Sequence, residues 1–334
     1  MMPTETTKIR EVRVTRLGLG TAPLGGLFTP VSEEAASQTV QRAYALGLRL
    51  FDTAPLYGYG IAETRLGSVL ASRPRDSYVI ATKVGRLLRD TNDTSHNYDI
   101  DRTQFHEGEP LYKSTGRDSP VFDFSYDGAM RSLEESLRRL GVDRVDIVHI
   151  HDPDDHMDEA INGAFRALSD LRDQGVIGAV GVGVDHSHLG VRFINETDID
   201  CLLIAGRCTL LDQQALPELL PKAQHNGVSV IAAGVFNGGV LANPDHNPTF
   251  HYVPCPPQVL ARAMKIRDIC NDFDIPLKAA AIQYPYRHPA VAAVVVGARS
   301  LQEIEENVML ASIDIPESLW KELDSENRAM SEPS

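Results

Sequence analysis

Eight short apolar runs alternate with eight amphipathic stretches along this chain of 334 residues. The runs lie near 16–21, 49–53, 78–84, 144–151, 179–184, 201–207, 228–234 and 292–297. The helical stretches lie near 32–47, 60–72, 125–141, 156–175, 186–195, 212–226, 256–273 and 300–311. Ser32-Glu33-Glu34-Ala35 starts the first helix and Gly47 stops it; Gly141 stops the third. Runs such as Ala293-Val294-Val295-Val296 are apolar on both faces, which suits parallel strands buried on both sides. Parallel neighbours need a crossover helix, so strict alternation repeated eight times predicts a closed (β/α)8 TIM barrel. An open doubly wound sheet is the structural rival. Gly18-Leu19-Gly20-Thr21 lacks the third glycine and the helix start of a dinucleotide fingerprint.

Polar groups stand where these predicted strands end. Phe51-Asp52-Thr53-Ala54-Pro55-Leu56-Tyr57 runs from the second strand into a loop; Lys83 ends the third strand and His151 the fourth. Singly, each is a common residue. Together, on one barrel rim, an acid, a phenol, an amine and an imidazole make a proton-transfer site. A free phenol titrates near pH 10, and a neighbouring ammonium favours the phenolate, so Lys83 is expected to lower Tyr57. Asp52 would keep Lys83 charged and oriented. His151 would bond the substrate oxygen. His149, two residues earlier on the same strand face, is expected to point into the barrel as a core residue.

Forty-six acidic against thirty-two basic residues give a net charge of −14, which argues against nucleic-acid or anionic-membrane partners. The four cysteines, Cys201, Cys208, Cys255 and Cys270, have no metal-ligand spacing, so reduced thiols and no metal are expected. The first residues show no apolar signal region, and the longest apolar run, Ala290 to Ala298, is far short of the ~20 residues that span a bilayer. A cytoplasmic location is the expectation. At 43% hydrophobic residues, one barrel domain over 1–334 has core enough.

Residues 86–124 break the repeat on the side of the predicted site. A loop this long inside a compact domain is usually functional or disordered. Tyr98, Phe105, Tyr112, Phe122 and Phe124 make it aromatic, unlike disordered chain, so a substrate lid is predicted. Segment 236–256 also leaves from that face. Residues 313–334 are expected to add one helix around Trp320 and then fray.

At this point the motifs resemble the aldo-keto reductase superfamily over nearly the whole chain. The likeness rests on Gly18-Leu19-Gly20-Thr21-Ala22, Phe51 to Gly58, Ala81-Thr82-Lys83, Asp146 to Pro153 and Glu305-Glu306-Asn307. It selects His151 over His149, because the histidine precedes a residue and a proline. It implies an extended nicotinamide dinucleotide at the strand ends, with Tyr57 as proton donor or acceptor. The implied cofactor contacts are Gly20, Thr21, Ala22 and Asp52, then Gly234-Val235-Phe236-Asn237-Gly238 for the pyrophosphate. Gly297-Ala298-Arg299, Glu303, Glu306 and Asn307 would take the adenosine end, aided by a helix N-terminus. Tyr57, His151, Asp152, Arg207 and Tyr112 are the expected substrate contacts, with Arg207 equally readable as a structural ion pair.

The departures matter. Gly183-Val184 stands where the family has a Ser-Asn pair, and Ala205 and Cys208 replace its glutamine and stacking aromatic. Carboxamide contacts would then be rebuilt, through Asp185 or Arg207. Glu303 takes the place of an arginine that holds a 2′-phosphate. A carboxylate repels phosphate but accepts a bond from a ribose 2′-OH, so NAD is expected to be preferred, while Arg299 leaves room for NADP. Further motifs, Asp123 to Gly128, His151 to Asp154 and Ala205 to Gln213, are similar to the L-fucose and D-threo-aldose 1-dehydrogenase branch and equally to pyridoxal 4-dehydrogenases. The resemblance thus implies oxidation of a small sugar or pyridoxal-like substrate. A cofactor-sensing regulatory barrel and a general aldehyde reductase are the other readings.

Overall fold

The computed structural model describes residues 3–92, 96–103, 105–106, 109–113, 118–246 and 248–331. Eight parallel strands close into a barrel: β1 (Leu17–Gly20), β2 (Leu50–Asp52), β3 (Val79–Val84), β4 (Ile147–His151), β5 (Ala179–Val184), β6 (Cys201–Ala205), β7 (Ser229–Ala233) and β8 (Val291–Gly297). β8 pairs with β1, so the sheet has no free edge. Helices follow the strands: α1 (Glu33–Ala45), α2 (Ile61–Leu70), α3 (Tyr126–Leu140), α4 (Phe165–Asp173), α5 (Ser187–Glu196), α6 (Leu219–His225), α7 (Pro257–Asp272), α8 (Leu277–Gln283), α9 (Leu301–Ala311) and α10 (Glu317–Ser331). The expected barrel is present, with every predicted strand in its place.

Side chains alternate across a strand with a period of two. The outward residues, among them Phe51, Ile80, Val148, Val182 and Val294, join the helices in the main core. The inward residues Leu50, Val79, Ala81, Ile147, Ala179, Leu203, Ile231 and Val295 fill the barrel. Ile9 and Val14 join that inner cluster from an N-terminal hairpin, Thr6–Ile9 paired with Val12–Thr15. This hairpin plugs the barrel, an element that the strand–helix alternation does not predict. The same period carries Asp52, Lys83 and His151 inward, each two residues beyond an inward apolar residue or histidine on its strand.

Two helical predictions need correction. The sixth helix spans only Leu219–His225, because Asp212 and Thr209 organise the preceding residues as turns, and Pro217 restricts Leu216. A further helix, α8, follows Pro276 where none had been predicted. The fourth helical stretch contains a π-helical turn, Ala160–Ala164. There the Ala164 N–H donates to Phe124 O (2.8 Å), at the end of the 86–124 insertion.

That insertion begins and ends as an antiparallel ribbon, Arg86–Arg89 against Ser119–Phe122. Asp99 and Asp101 extend the pairing through backbone bonds with Phe122 and Pro120. No described helix is long and apolar enough to cross a membrane.

Helix α2 meets α3 where Gly67 touches Leu140; a Cβ there would lie 2.0 Å from the Leu140 carbonyl oxygen. Gly67→Ala is expected to destabilise by about 1–3 kcal/mol, because backbone must move. An unchanged melting temperature in a thermal scan would contradict this close approach.

Candidate active site

The strand ends form the site. In the register of the sheet Asp52 lies opposite Ala81 and Lys83 opposite His149. Lys83 Nζ donates to both Asp52 oxygens (2.8 Å each) and to Thr53 O (2.9 Å). Lys83 is 1% exposed and Asp52 3%. Burial raises the Asp52 carboxyl, while the Lys83 charge and hydrogen bond pull it back. Glycines on β5 leave room for these inward side chains: a Cβ on Gly181 would meet His149 Nδ1 at 2.5 Å.

Tyr57 lies over this pair. The Lys83 ammonium sits 4.7 Å from the centre of its ring. His151 meets the same ring edge-on, with centroids 5.7 Å apart, and the Tyr112 ring lies 6.3 Å away. The four expected groups thus converge. The expected lowering of the phenol does not occur. Burial pushes Tyr57 well above its ordinary value, and the Asp52 carboxylate adds to the rise. Lys83 is already matched by Asp52, so little of its charge is left to favour phenolate. Burial, then Arg86 and Lys83, hold His151 well below the ordinary imidazole range. It is therefore a neutral donor or acceptor at neutral pH. His149 is fully buried inside the barrel, as expected; burial lowers it to about 3, and neither ring nitrogen has a hydrogen-bond partner among the described residues.

The surrounding pocket takes in Ala22, Tyr112, Asp152, Gly234, Asn237 and Gly238 of the expected residues. It also takes in Asp185, one of the two residues expected to rebuild the carboxamide contacts, and adds Leu203, His251 and Tyr252. His251 and Tyr252 were missed. They form the turn of a hairpin, Thr249–Phe250 with Val253–Pro254, and both have positive φ (48° and 67°). Their only sequence signal was membership of segment 236–256. Asp152 also has positive φ (39°), and burial raises its carboxyl to about 7 against the pull of Arg86.

Arg207 is outside the pocket wall. Its guanidinium donates to Asp212 (2.8 Å) and to the Asp185 carbonyl (2.5 Å), and contacts the His251 ring (2.7 Å). It therefore anchors two pocket residues, which is the ion-pair alternative.

The ends of β1, β7 and β8 adjoin in the sheet, and buried polar atoms without partners among the described residues lie just beyond them. These are Thr21 Oγ1, Asn237 Oδ1, Arg299 Nε and Asn307 Oδ1. Such atoms are costly unless a ligand meets them. Phe236 packs near Lys278, which pairs with Glu306 (2.5 Å); Val235 and Ala298 are core residues. Asn307 Nδ2 donates to Gly297 O (3.2 Å). Glu303 accepts the Arg299 backbone N–H (2.8 Å), and Ser300 caps the same helix through the Glu303 N–H (3.2 Å).

The aldo/keto reductase family model matches residues 16–328. The chain belongs to this family. The aldo-keto reductase chain is 40% identical to a pyridoxal 4-dehydrogenase of Microbacterium luteolum over 324 residues, 94% of each chain. It is 39% identical to a D-threo-aldose 1-dehydrogenase of a Pseudomonas species over 310 residues, 92% of each. A solved glycerol dehydrogenase from Gluconobacter oxydans superposes with a TM-score of 0.76, over 100% of this chain and 98% of that one. At 22% identity that likeness concerns the fold. The chain is thus an oxidoreductase of the kind that acts on CH–OH groups.

Lys83→Met would leave Asp52 buried without its counter-charge. The folded-state carboxyl would rise further above its unfolded value. A raised acid stabilises below its unfolded pKa and loses that stability as pH climbs. The expected loss is about 3–5 kcal/mol near pH 8, and less near pH 5.5. Melting scans of mutant and wild type at both pH values check this; an equal deficit at both would contradict the buried pair.

Proposed function

We propose that this protein is an NAD(P)-dependent dehydrogenase that oxidises an aldose of the L-fucose or D-threo-aldose type at C1, giving the lactone. The observation behind this reading is one pocket that joins Tyr57, Lys83 and His151 to Asp152, Asp185 and Asn237. The first three suit proton transfer at the reacting oxygen. The others suit a ring bearing several hydroxyls. The relative named for D-threo-aldose supports the same choice.

A bound nicotinamide would supply the hydride acceptor, and the Thr21, Asn237, Arg299 and Asn307 atoms that lack partners among the described residues fit an extended polar cofactor. His151, kept neutral, would hold the anomeric oxygen. Tyr57, in its phenolate form, would take the hydroxyl proton and become the neutral phenol as the C1–H bond breaks. Asp52 would fix Lys83 beneath the phenol. Within the pocket Asp152 and Asp185 would accept from substrate hydroxyls. Oligomeric state plays no part in this reading.

NAD is the preferred cofactor in this proposal. The first turn of α9 already holds an anion of the chain's own, Glu303, bonded to the Arg299 N–H. A 2′-phosphate there would meet a carboxylate. Arg299 is the group that would support residual NADP use.

A second reading takes the cyclic hemiacetal of a pyridoxal-like compound as substrate. The aromatic walls Tyr112 and Tyr252 and the similar pyridoxal 4-dehydrogenase favour it. The bonds broken and formed are the same. Residues 86–124 would act as the lid, with Tyr112 its contribution to the wall.

A panel of L-fucose, D-arabinose, L-galactose and pyridoxal with NAD, read by absorbance of the reduced cofactor, tests the substrate. Turnover of an aldose is expected; turnover of pyridoxal alone selects the second reading, and none with any compound contradicts both. The value of kcat/KM with NAD should exceed that with NADP, and Glu303→Gln should narrow the gap by about tenfold; a native preference for NADP would sink the Glu303 argument. Tyr57→Phe should lose at least ~100-fold in kcat while still binding cofactor. Because the phenol is raised, phenolate grows with pH, so the oxidation rate of the wild type should still be climbing at about pH 9. A flat profile from pH 6 to 9 would contradict Tyr57 as the proton acceptor.

A further inference from the structure

Arg86 and Asp101 form a second buried ion pair, outside the four catalytic groups. Arg86 begins the insertion ribbon and is 2% exposed; Asp101, fifteen residues on, is 1% exposed. Arg86 Nε donates to Asp101 Oδ2 (2.5 Å). The other Asp101 oxygen accepts from the Thr103 N–H (2.8 Å) and hydroxyl (2.6 Å). The Arg86 guanidinium also lies 4.9 Å from the centre of the Phe122 ring, on the returning strand of the ribbon. Its Nη1 arm donates to the carbonyl oxygen of His151.

That carbonyl precedes the left-handed Asp152 (φ 39°), whose N–H is held by Gly183 O at 2.8 Å. A non-glycine residue in this region persists only where neighbours fix it. Arg86 and Gly183 are the neighbours bonded to the two sides of that turn. The carboxylate of Asp152 stands 3.5 Å from His151 Nε2.

We infer that Arg86 and Asp101 are a positioning pair: they set the His151–Asp152 turn, and so make the catalytic geometry depend on the folding of the 86–124 insertion. Neither side chain needs to touch substrate. An arginine suits the task because one planar fork serves two acceptors; a lysine cannot direct two fixed bonds in that way. The pair also gives the insertion a role beyond covering the pocket, since its residue 101 is the anion that keeps Arg86 in place.

The inference rests on the proposed role of His151. The groups facing that ring are the cations Arg86 of the ribbon and Lys83 of β3, neutral His149 of β4, the Tyr57 phenol and Asp152 beside it. Asp152 in turn faces Arg86, Lys83, Asp185 and Asp154. Arg86 acts on both groups in one direction, holding His151 and Asp152 down. Its loss should therefore move the acid limb of the pH profile to higher pH.

The test uses the full chain with NAD and the best substrate of the panel. The variants are Arg86→Met, Arg86→Lys, Asp101→Asn and the double variant Arg86→Met/Asp101→Leu, which leaves no lone buried charge. Arg86→Met and the double variant should lose about 10- to 100-fold in kcat, as a misplaced catalytic group does. Their acid limb should move up by about one pH unit, with cofactor binding by fluorescence quenching within twofold of wild type. Arg86→Lys should recover part of the rate and of the profile, and Asp101→Asn should fall between. Wild-type kcat and profile in the double variant would overturn the pair, as would a loss of rate with no shift in profile. His151→Gln, measured alongside, separates the two claims. If it is inactive while the double variant behaves as wild type, the pair alone fails. If it is fully active, the role of His151 fails and the positioning claim falls with it.

Discussion

The Lys83–Asp52 ion pair is the constraint around which the rest of the site is arranged. Two ionised groups taken out of water cost more than they return unless their geometry is good and their remaining hydrogen bonds are met. Here Lys83 meets both oxygens of Asp52 and a backbone carbonyl, all within 2.9 Å. The barrel makes this arrangement by register. Asp52 and Lys83 stand on neighbouring strands, on the inward face, at the end where those strands run into loops. A shift of one residue in either strand would turn one of them outward among the helices. Closure of the sheet prevents that shift, because each strand is paired on both sides.

The consequence for the phenol differs from a simple picture of an ammonium lowering a neighbouring acid. With its charge matched by Asp52, Lys83 serves as a fixed cationic floor beneath the Tyr57 ring. Burial then governs the phenol, which is a weak acid in this form of the protein. His151 is neutral for the same reason, with three positive or basic neighbours adding to the effect. The site thus holds two neutral proton-carrying groups side by side, over one buried ion pair. Around it, strained backbone at Asp152, Asn237, His251 and Tyr252 collects at the mouth of the barrel. Such strain is concentrated where loops must aim side chains at a ligand.

Much of this was legible in the sequence, and the parts that were not share a physical cause. The barrel strands announce themselves because burial on both faces demands near-continuous apolar residues. The four candidate groups follow from them, since each lies at or just after a strand end. The N-terminal plug was missed because its turn, at Arg10-Glu11, has no glycine and its strands are only four residues long. Helix α8 was missed because Leu277-Lys278-Ala279-Ala280-Ala281 lies between prolines and alternates in no clear period. His251, Tyr252 and the Arg207 anchor are products of tertiary contact between segments 44 residues apart, and no local pattern encodes them. The raised phenol was misjudged for a related reason: spacing gives neighbours but not the balance of burial against charge.

The most direct test of the central pair is a double-mutant cycle on Asp52 and Lys83, read as kcat/KM. If the two act as one unit, Asp52→Asn, Lys83→Met and the double variant should lose activity to a similar degree, with a strong coupling between the positions. Losses that multiply, so that the double variant falls by the product of the two single effects, would show that Asp52 and Lys83 act independently and would contradict the account.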